Sequence, residues 1–399
     1  MNGGVKIIST DELIVEISEI TGRKSDKEEK KRFIVNCLRK SGQLSRREIA
    51  TRSGLSPATV SALVTELLDE ALVVEEDAVK SPGGRRPTPI RINYEDGLAI
   101  GIKLNFSRIE GVLTDMSTGI ADRCECQLID REVETVLDAV EWVVRALMRT
   151  SAAAARPVHG IGVAIPGAID TINGICRVSH RLGWRDVAFA ERLRARLDVP
   201  VHIDDDSHAF ALAQSLFGLG LTRRSFATLA IGDGISVGMV LAGKVHRGET
   251  GAAGKLGHVR HAVDGRRCEC GRVGCLQAMH AVGGMLAQWR GTADRRTFAS
   301  DFAGLVSAAQ AGHASALAIA RSAGEAIGQH LATFVNVADL RAIVLGGEAV
   351  ALGDALIEPL GDQLGALVFG APVVLTIDEH SDFWSRGAAA LVTQIQFDF

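Results

Sequence analysis

Four residues of this 399-residue chain have the types and the spacing of a metal site. His258 is followed by Cys268, Cys270 and Cys275, in the pattern H-x9-C-x-C-x4-C. Three thiolates and one imidazole complete the tetrahedral shell of Zn2+, so such a site is structural and leaves no open position for catalysis. Gly271 and Gly274 allow the tight backbone that aims three sulfurs at one point. The alternative is three unassociated surface thiols. A Cys268–Cys270 disulfide would be strained, and structural disulfides are rare in cytosol. Cys37, Cys124, Cys126 and Cys176 sit in apolar or mixed surroundings, where a buried free thiol is the ordinary outcome.

A second group of residues has the chemistry of nucleic-acid contact. Ser56, Pro57, Ala58, Thr59 and Ser61 stand at the start of an apolar-striped segment. Small side chains there can approach base edges and thymine methyls closely. Arg46, Arg47 and Arg52 are placed for phosphates, which set affinity and register more than sequence choice. Arg85 and Arg86 follow a Gly-Gly turn in SPGGRRPTP, at the tip, and are placed for an adjacent minor groove or backbone.

The elements that position this second group are legible. Asp26–Lys40 carries Phe33, Ile34, Cys37 and Leu38 on one helical stripe, and Ser41–Gly42 ends it. Ser45 caps a short helix with Glu48 as its capping-box partner, and Gly54 closes it. Ser56 caps a third helix, with Pro57 at its first position and Val60, Leu63, Val64, Leu67 and Leu68 as its buried stripe. Two helices across a tight Gly-containing turn make a helix-turn-helix. Leu72–Glu76 and Pro89–Asn93 read as a hairpin, the wing. The alternative is a plain three-helix scaffold with a basic loop.

Charge agrees with that division. The net charge is −4. Residues 21–60 hold 11 Lys and Arg against 4 Asp and Glu, while residues 96–399 hold 28 against 33. A basic segment on an acidic body fits one module that meets a polyanion, although a solvated helix face would look the same. Apolar residues make up 47% and charged residues 23%, which excludes a mainly disordered, collagen-like or coiled-coil chain. No run of about 18 apolar residues is present, and the start of the chain lacks the features of a secretory signal. The expectation is a cytoplasmic protein without membrane contact. Residues 1–24 read as an amphipathic leader, 25–95 as the winged helix-turn-helix domain, and 97–399 as an α/β domain of two lobes around a cleft.

Along the α/β domain run IPG (165–167), HRLGW (180–184), VHIDDDSH (201–208), GAAGKLGH (251–258), CECGRVGC (268–275) and IVLGGE (343–348). In this order they resemble the ROK family of repressors, open reading frames and sugar kinases, over about 97–395. The resemblance implies an actin-like, hexokinase-like fold with a sugar cleft. It also implies that His258, Cys268, Cys270 and Cys275 are zinc ligands, on a loop (258–275) that shapes the cleft and couples to a dimer.

The resemblance also shows departures. The family's kinases open with an Asp-Gly-Gly-Thr phosphate loop; here the same strand reads Lys103, Leu104, Asn105, Phe106 and Ser107. Phe106 is expected to fill the space of a phosphate, so ATP use is not expected. Asp206 aligns with the family's general base; the alternative is a solvated strand-end acid. The family's sugar contacts map onto Asp205, Asp206, Lys255, His258 and Gln277, with Lys255 and Gln277 where glutamates are usual. His208 stands where a second Asn is common. Lys255 cannot accept a hydroxyl proton as a glutamate would. It either pairs with Asp205 around a neutral sugar or meets an anionic group on a sugar acid or sugar phosphate; otherwise sugar binding has decayed. The expectation is a repressor of carbohydrate uptake or catabolism genes, a homodimer or dimer of dimers on double-stranded operator DNA, responsive to a sugar or sugar derivative. The alternatives are an active ATP-dependent sugar kinase with a DNA-binding module and a regulator controlled by a protein partner.

Overall fold

Capping chemistry sets the helices of the N-terminal unit. Ser45 N–H donates to Glu48 Oε2 at 2.8 Å while Ser45 Oγ accepts from Glu48 N–H at 3.3 Å, a complete capping box. Gly54 ends that helix at φ +68°. Ser56 Oγ accepts from Thr59 N–H and starts the next helix ahead of Pro57. A computed structural model describes residues 26–76, 88–150, 156–292, 297–378 and 382–399, in two compact units that divide between Ile92 and Asn93. The leader 1–24, Arg85 and Arg86 lie outside the described residues.

The first unit runs α1 (Asp26–Ser41), β1 (Gln43–Ser45), α2 (Arg46–Ser53), α3 (Pro57–Asp69), β2 (Val73–Glu75) and β3 (Pro89–Ile92). β2 and β3 pair antiparallel in the register Val73↔Ile92, as the hairpin reading requires. β1 is not anticipated from the residues; it pairs with the other side of β3. The core holds Ile34, Leu38, Leu44, Ile49, Val60, Leu63, Val64, Leu67, Ile90 and Ile92. Phe33 was placed on the buried stripe but is 47% exposed. Lys31 takes a buried place on the same helix instead, its ammonium held by Glu70 at 2.6 Å and Glu66 at 3.1 Å.

The second unit contains one plan twice. Its first lobe has β4 (Leu98–Leu104), β5 (Arg108–Asp115), β6 (Ile120–Gln127), α4 (Val133–Met148) and β7 (Val158–Ile165). A small antiparallel sheet of β8 (Ala168–Asp170), β9 (Ile175–Ser179) and β10 (Trp184–Val187) follows, then α5 (Phe189–Arg194) and β11 (Val201–Asp205). The main sheet has the order β11-β7-β4-β5-β6. α6 (Asp206–Phe217) leads to the second lobe, which starts with β12 (Phe226–Ile231), β13 (Ile235–Leu241) and β14 (Lys244–Val245). Helices α7 (Leu276–His280), α8 (Val282–Arg290), α9 (Phe302–Gln310) and α10 (Ala314–Ala338) precede β15 (Ala342–Gly346), α11 (Asp354–Leu367) and β16 (Val374–Ile377). That sheet has the order β14-β13-β12-β15-β16. In each lobe an antiparallel three-strand meander is extended by two parallel strands beside its first member.

Each lobe has its own apolar core. Ile100, Ile102, Leu113, Val140, Val144 and Val163 fill the first, and Leu229, Val237, Met285, Trp289, Ile327, Leu345 and Leu360 fill the second. The last helix, α12 (Phe383–Phe397), returns to the first lobe and lies across β4 and β7. Glycine lets it lie close: a Cβ at Gly162 would stand 1.8 Å from Ala388 O, and one at Gly101 2.0 Å from Ser385 O. Among the described residues no single helix is long and apolar enough to cross a membrane.

Candidate ligand cleft, metal centre and nucleic-acid face

A cavity of about 460 Å³ opens between the two lobes of the second unit. The first lobe supplies Lys103 and Asn105 from the end of β4, Gly167 after β7, and Asp206 at the start of α6. The second supplies the turn Gly232–Gly234, Lys255, His258, Glu269, Gln277 and Glu348. Of the residues expected to touch a ligand, Asp206, Lys255, His258 and Gln277 therefore line the same cavity.

Asp205 does not line the cavity. It is fully buried behind the wall, where its carboxylate caps α6 through Ser207, accepts from Gly167 N–H at 3.0 Å and pairs with Lys255 Nζ at 2.5 Å. The pairing of Lys255 with Asp205 considered from the sequence is thus present. These partners hold the Asp205 carboxyl below its ordinary range although burial pushes the other way.

Phe106 departs from expectation. It is 49% exposed, carries the Arg131 guanidinium over its ring at 4.0 Å, and is not on the cavity wall. Lys103 fills that end of the cleft instead. Its ammonium is buried, pairs with Asp206 Oδ2 and lies 4.7 Å from the centroid of the Trp384 ring. Sequence reasoning had no means to foresee Trp384, which comes from the distant helix α12. Arg181 and Glu269 were missed too, although both lie inside motifs read for other reasons. Arg181 Nε stands 3.3 Å from Glu269 Oε2, and Gln277 donates to Glu269 Oε1 at 3.0 Å.

A strap from the second lobe is fastened beside this wall. After β14, Arg247 donates to buried Asp204 at 2.8 Å. Ala253 O lies 3.2 Å from His208 Nε2, and Lys255 pairs with Asp205 as above. Gly254 takes φ +80°, and a Cβ there would stand 1.7 Å from Val237 O. The dense glycines of GAAGKLGH are thus needed for a chain threaded between two lobes.

The four metal-ligating candidates converge. One donor atom from each of His258, Cys268, Cys270 and Cys275 lies within 4.8 Å of every other. His258 Nδ1 is 3.5 Å from Cys268 Sγ, and Cys270 Sγ is 3.7 Å from Cys275 Sγ. Ligands at zinc's usual bond lengths in a tetrahedron stand roughly 3.4–3.8 Å apart, so the donor set fits that ion. Burial pushes the His258 imidazole down to about 4, which favours the neutral form a ligand needs. Arg272 Nε, 3.5 Å from Cys270 Sγ, sets a positive charge against the thiolates.

In the first unit, Ser56, Pro57, Ala58 and Ser61 are exposed together around the start of α3, with Thr59 half-buried among them. Arg47 is exposed. Arg46 is engaged with Glu75 at 2.6 Å, and Arg52 donates to Ser41 Oγ.

A winged helix on a two-lobed domain with duplicated sheets, a central cleft and a Cys3His cluster defines the class. Residues 99–395 match the ROK family and residues 28–73 a winged helix-turn-helix DNA-binding family. The chain belongs to the ROK family. It is 30% identical over 342 residues to a putative xylose repressor of a Caldicellulosiruptor species, covering 83% of this chain and 86% of the relative. It is 26% identical over 366 residues to the N-acetylglucosamine repressor of Escherichia coli O157:H7, covering 88% and 89%. The fold is shared with a crystal structure of a ROK family transcriptional regulator, a homolog of the E. coli MLC protein. That match has a TM-score of 0.81, 21% identity, and covers 93% of this chain and 97% of the other. It is also shared with a ROK glucokinase from Streptomyces griseus, at a TM-score of 0.68 and 20% identity, over 75% of this chain and all of the kinase.

Proposed function

We propose that this chain is a sugar-responsive, DNA-binding repressor of transcription. The observation that carries the reading is the joining of a winged helix to a ROK domain in one chain that is similar over most of its length to relatives named putative xylose repressor and N-acetylglucosamine repressor. Two chains would grip a roughly palindromic operator, with α3 of each in a major groove about one helical turn apart. Ser56, Pro57, Ala58, Thr59 and Ser61 would meet base edges, and Arg46, Arg47, Arg85 and Arg86 the backbone or minor groove. Arg46 would first leave Glu75.

The cleft binds a sugar and does not phosphorylate it. This rests on Lys103, which stands at the phosphate-loop position and engages the aligned base Asp206. Asp206, Lys255, His258 and Gln277 would hold the sugar. His258, Cys268, Cys270 and Cys275 would hold zinc, which when bound supplies a structural cross-link. The arm it ties carries Glu269 and leads into Gln277 on the cavity wall. A sugar shifts operator binding only so far as it binds one lobe arrangement better than the other.

The test is a pull-down of genomic DNA fragments with the purified full chain at near-physiological salt, followed by sugar titration on the enriched sites. A few sites sharing an inverted repeat, released by a sugar, are expected. No enrichment over a chain lacking residues 1–95 overturns the repressor reading. ADP release with Mg-ATP and a hexose panel overturns the non-kinase reading.

A further inference from the structure

The cations of the cleft are already engaged. Lys103 pairs with Asp206, Lys255 with Asp205, Arg181 with Glu269, and Arg272 donates to Cys270 Sγ. Two carboxylates on the same wall, Asp233 and Glu348, form no ion pair among the described residues. They stand on two turns of the second lobe that pack together. A Cβ on Gly232 would lie 2.0 Å from Glu348 Oε2, which puts the Glu348 carboxylate against the turn that carries Asp233. Both residues are exposed to the cleft. Desolvation by the surrounding protein and the charge of Asp233 raise the Glu348 pKa, against the opposite pull of its own backbone N–H and of Lys103. A further anion placed there would add to that repulsion. His180, the remaining histidine on the wall besides His258, is exposed at the rim.

We infer that the cleft selects uncharged polyhydroxyl ligands and rejects phosphorylated and carboxylated ones, with Asp233 and Glu348 as the residues that enforce the choice. An anionic ligand would have to draw a cation away from Asp206, Asp205, Glu269 or the Cys270 sulfur, and would meet two carboxylates without ion-pair partners while doing so. A neutral sugar needs neither. It meets paired groups, each of which keeps lone pairs or N–H bonds for hydroxyls. The inference rests on the sugar-responsive reading above.

The experiment is isothermal titration of the zinc-loaded full chain with matched probes, in parallel with operator release by each. The probes are glucose, glucose 6-phosphate and glucuronate; N-acetylglucosamine and its 6-phosphate; and xylose and xylonate. The charged member of each set is expected to bind at least about tenfold more weakly than its neutral parent, with the gap shrinking as salt rises. Asp233→Asn combined with Glu348→Gln is expected to narrow that ratio several-fold. A charged probe that binds as tightly as its parent overturns the inference, and an unchanged ratio in the double variant overturns the assignment to Asp233 and Glu348. If neither neutral nor charged probes bind or release operator, the sugar-responsive reading itself falls, and the inference with it. The two failures are distinct, because only in the second do both arms fail together.

Discussion

A carboxylate that is to take a proton needs a free oxygen and a hydroxyl within reach. At Asp206, Lys103 occupies Oδ2, and Trp384 stacks over the ammonium. The pair is nearly buried, with side-chain exposures of 4% and 12%. Removing one member of a buried pair costs about 3–5 kcal/mol, and cavity water reaching Asp206 lowers this to roughly 2–3 kcal/mol for Lys103→Met. Lys103→Arg keeps the charge and recovers most of the loss. Urea unfolding followed by tryptophan fluorescence checks this, since Trp142, Trp184, Trp289 and Trp384 all lie in the ROK domain. Equal midpoints for wild type and Lys103→Met contradict it. The sequence revealed that Lys103 stands where the kinases carry Asp. It did not reveal that this lysine reaches Asp206, because the two are 103 positions apart and meet only through the lobe's fold. Phe106 failed for the same reason: its type was legible, but the direction of its side chain was not.

Elements differed in how much of them the residues disclose. Helices α2 and α3 announce themselves through Ser45, Glu48, Ser56 and Pro57, because capping is local chemistry. Strand β1 is three residues long and exists only because β3 offers it an edge. The repeated sheet order was likewise invisible, since it is a repeat of topology and not of residue pattern. The strap after β14 shows what such long-range fastening implies. His208 Nδ1 stands 3.4 Å from Asp204 Oδ1, within ion-pair distance but not hydrogen-bonded, and Nε2 lies 3.2 Å from Ala253 O. A neutral imidazole can donate to Ala253 O, while an imidazolium does so and also sets its charge against Asp204. Burial lowers its pKa, but Asp204 and Asp205 outweigh burial and raise it above 6.5. A raised folded pKa gives stability that is fully present below pH 6.5 and is lost as pH rises through the folded value. The strap is therefore expected to loosen on the alkaline side. His208→Gln should flatten that part of the profile, read as wild-type minus variant stability across pH 6–9. A difference that grows with pH contradicts the assignment.

For the whole molecule, the metal arm and the winged helix separate two kinds of damage. One zinc per chain is expected by elemental analysis, and none in Cys270→Ser. Chelation should lower the melting temperature of the ROK domain by several degrees or more and abolish sugar response, because Glu269 and Gln277 then lose their anchored loop. Capping, the α3 stripe and the β1-β3-β2 sheet need no metal, so the winged helix should keep its own transition and its salt-sensitive affinity for DNA. Loss of both transitions together contradicts this independence.

The crossing of α12 over β4 and β7 has a consequence for how the protein is made. A ribosome emits the winged helix first, then the strands of the first lobe, and only after the entire second lobe the helix that covers them. At roughly 5–20 residues per second, the exposed first sheet waits on the order of tens of seconds for its cover. During that interval the nascent chain has a finished DNA-binding module and a second lobe with its own core, while the first half of the sensor is still open. Operator contact can thus precede sensing in the life of each molecule. A stop codon before Phe383 would leave a winged helix joined to an uncovered sheet, with Trp384 missing from the cleft.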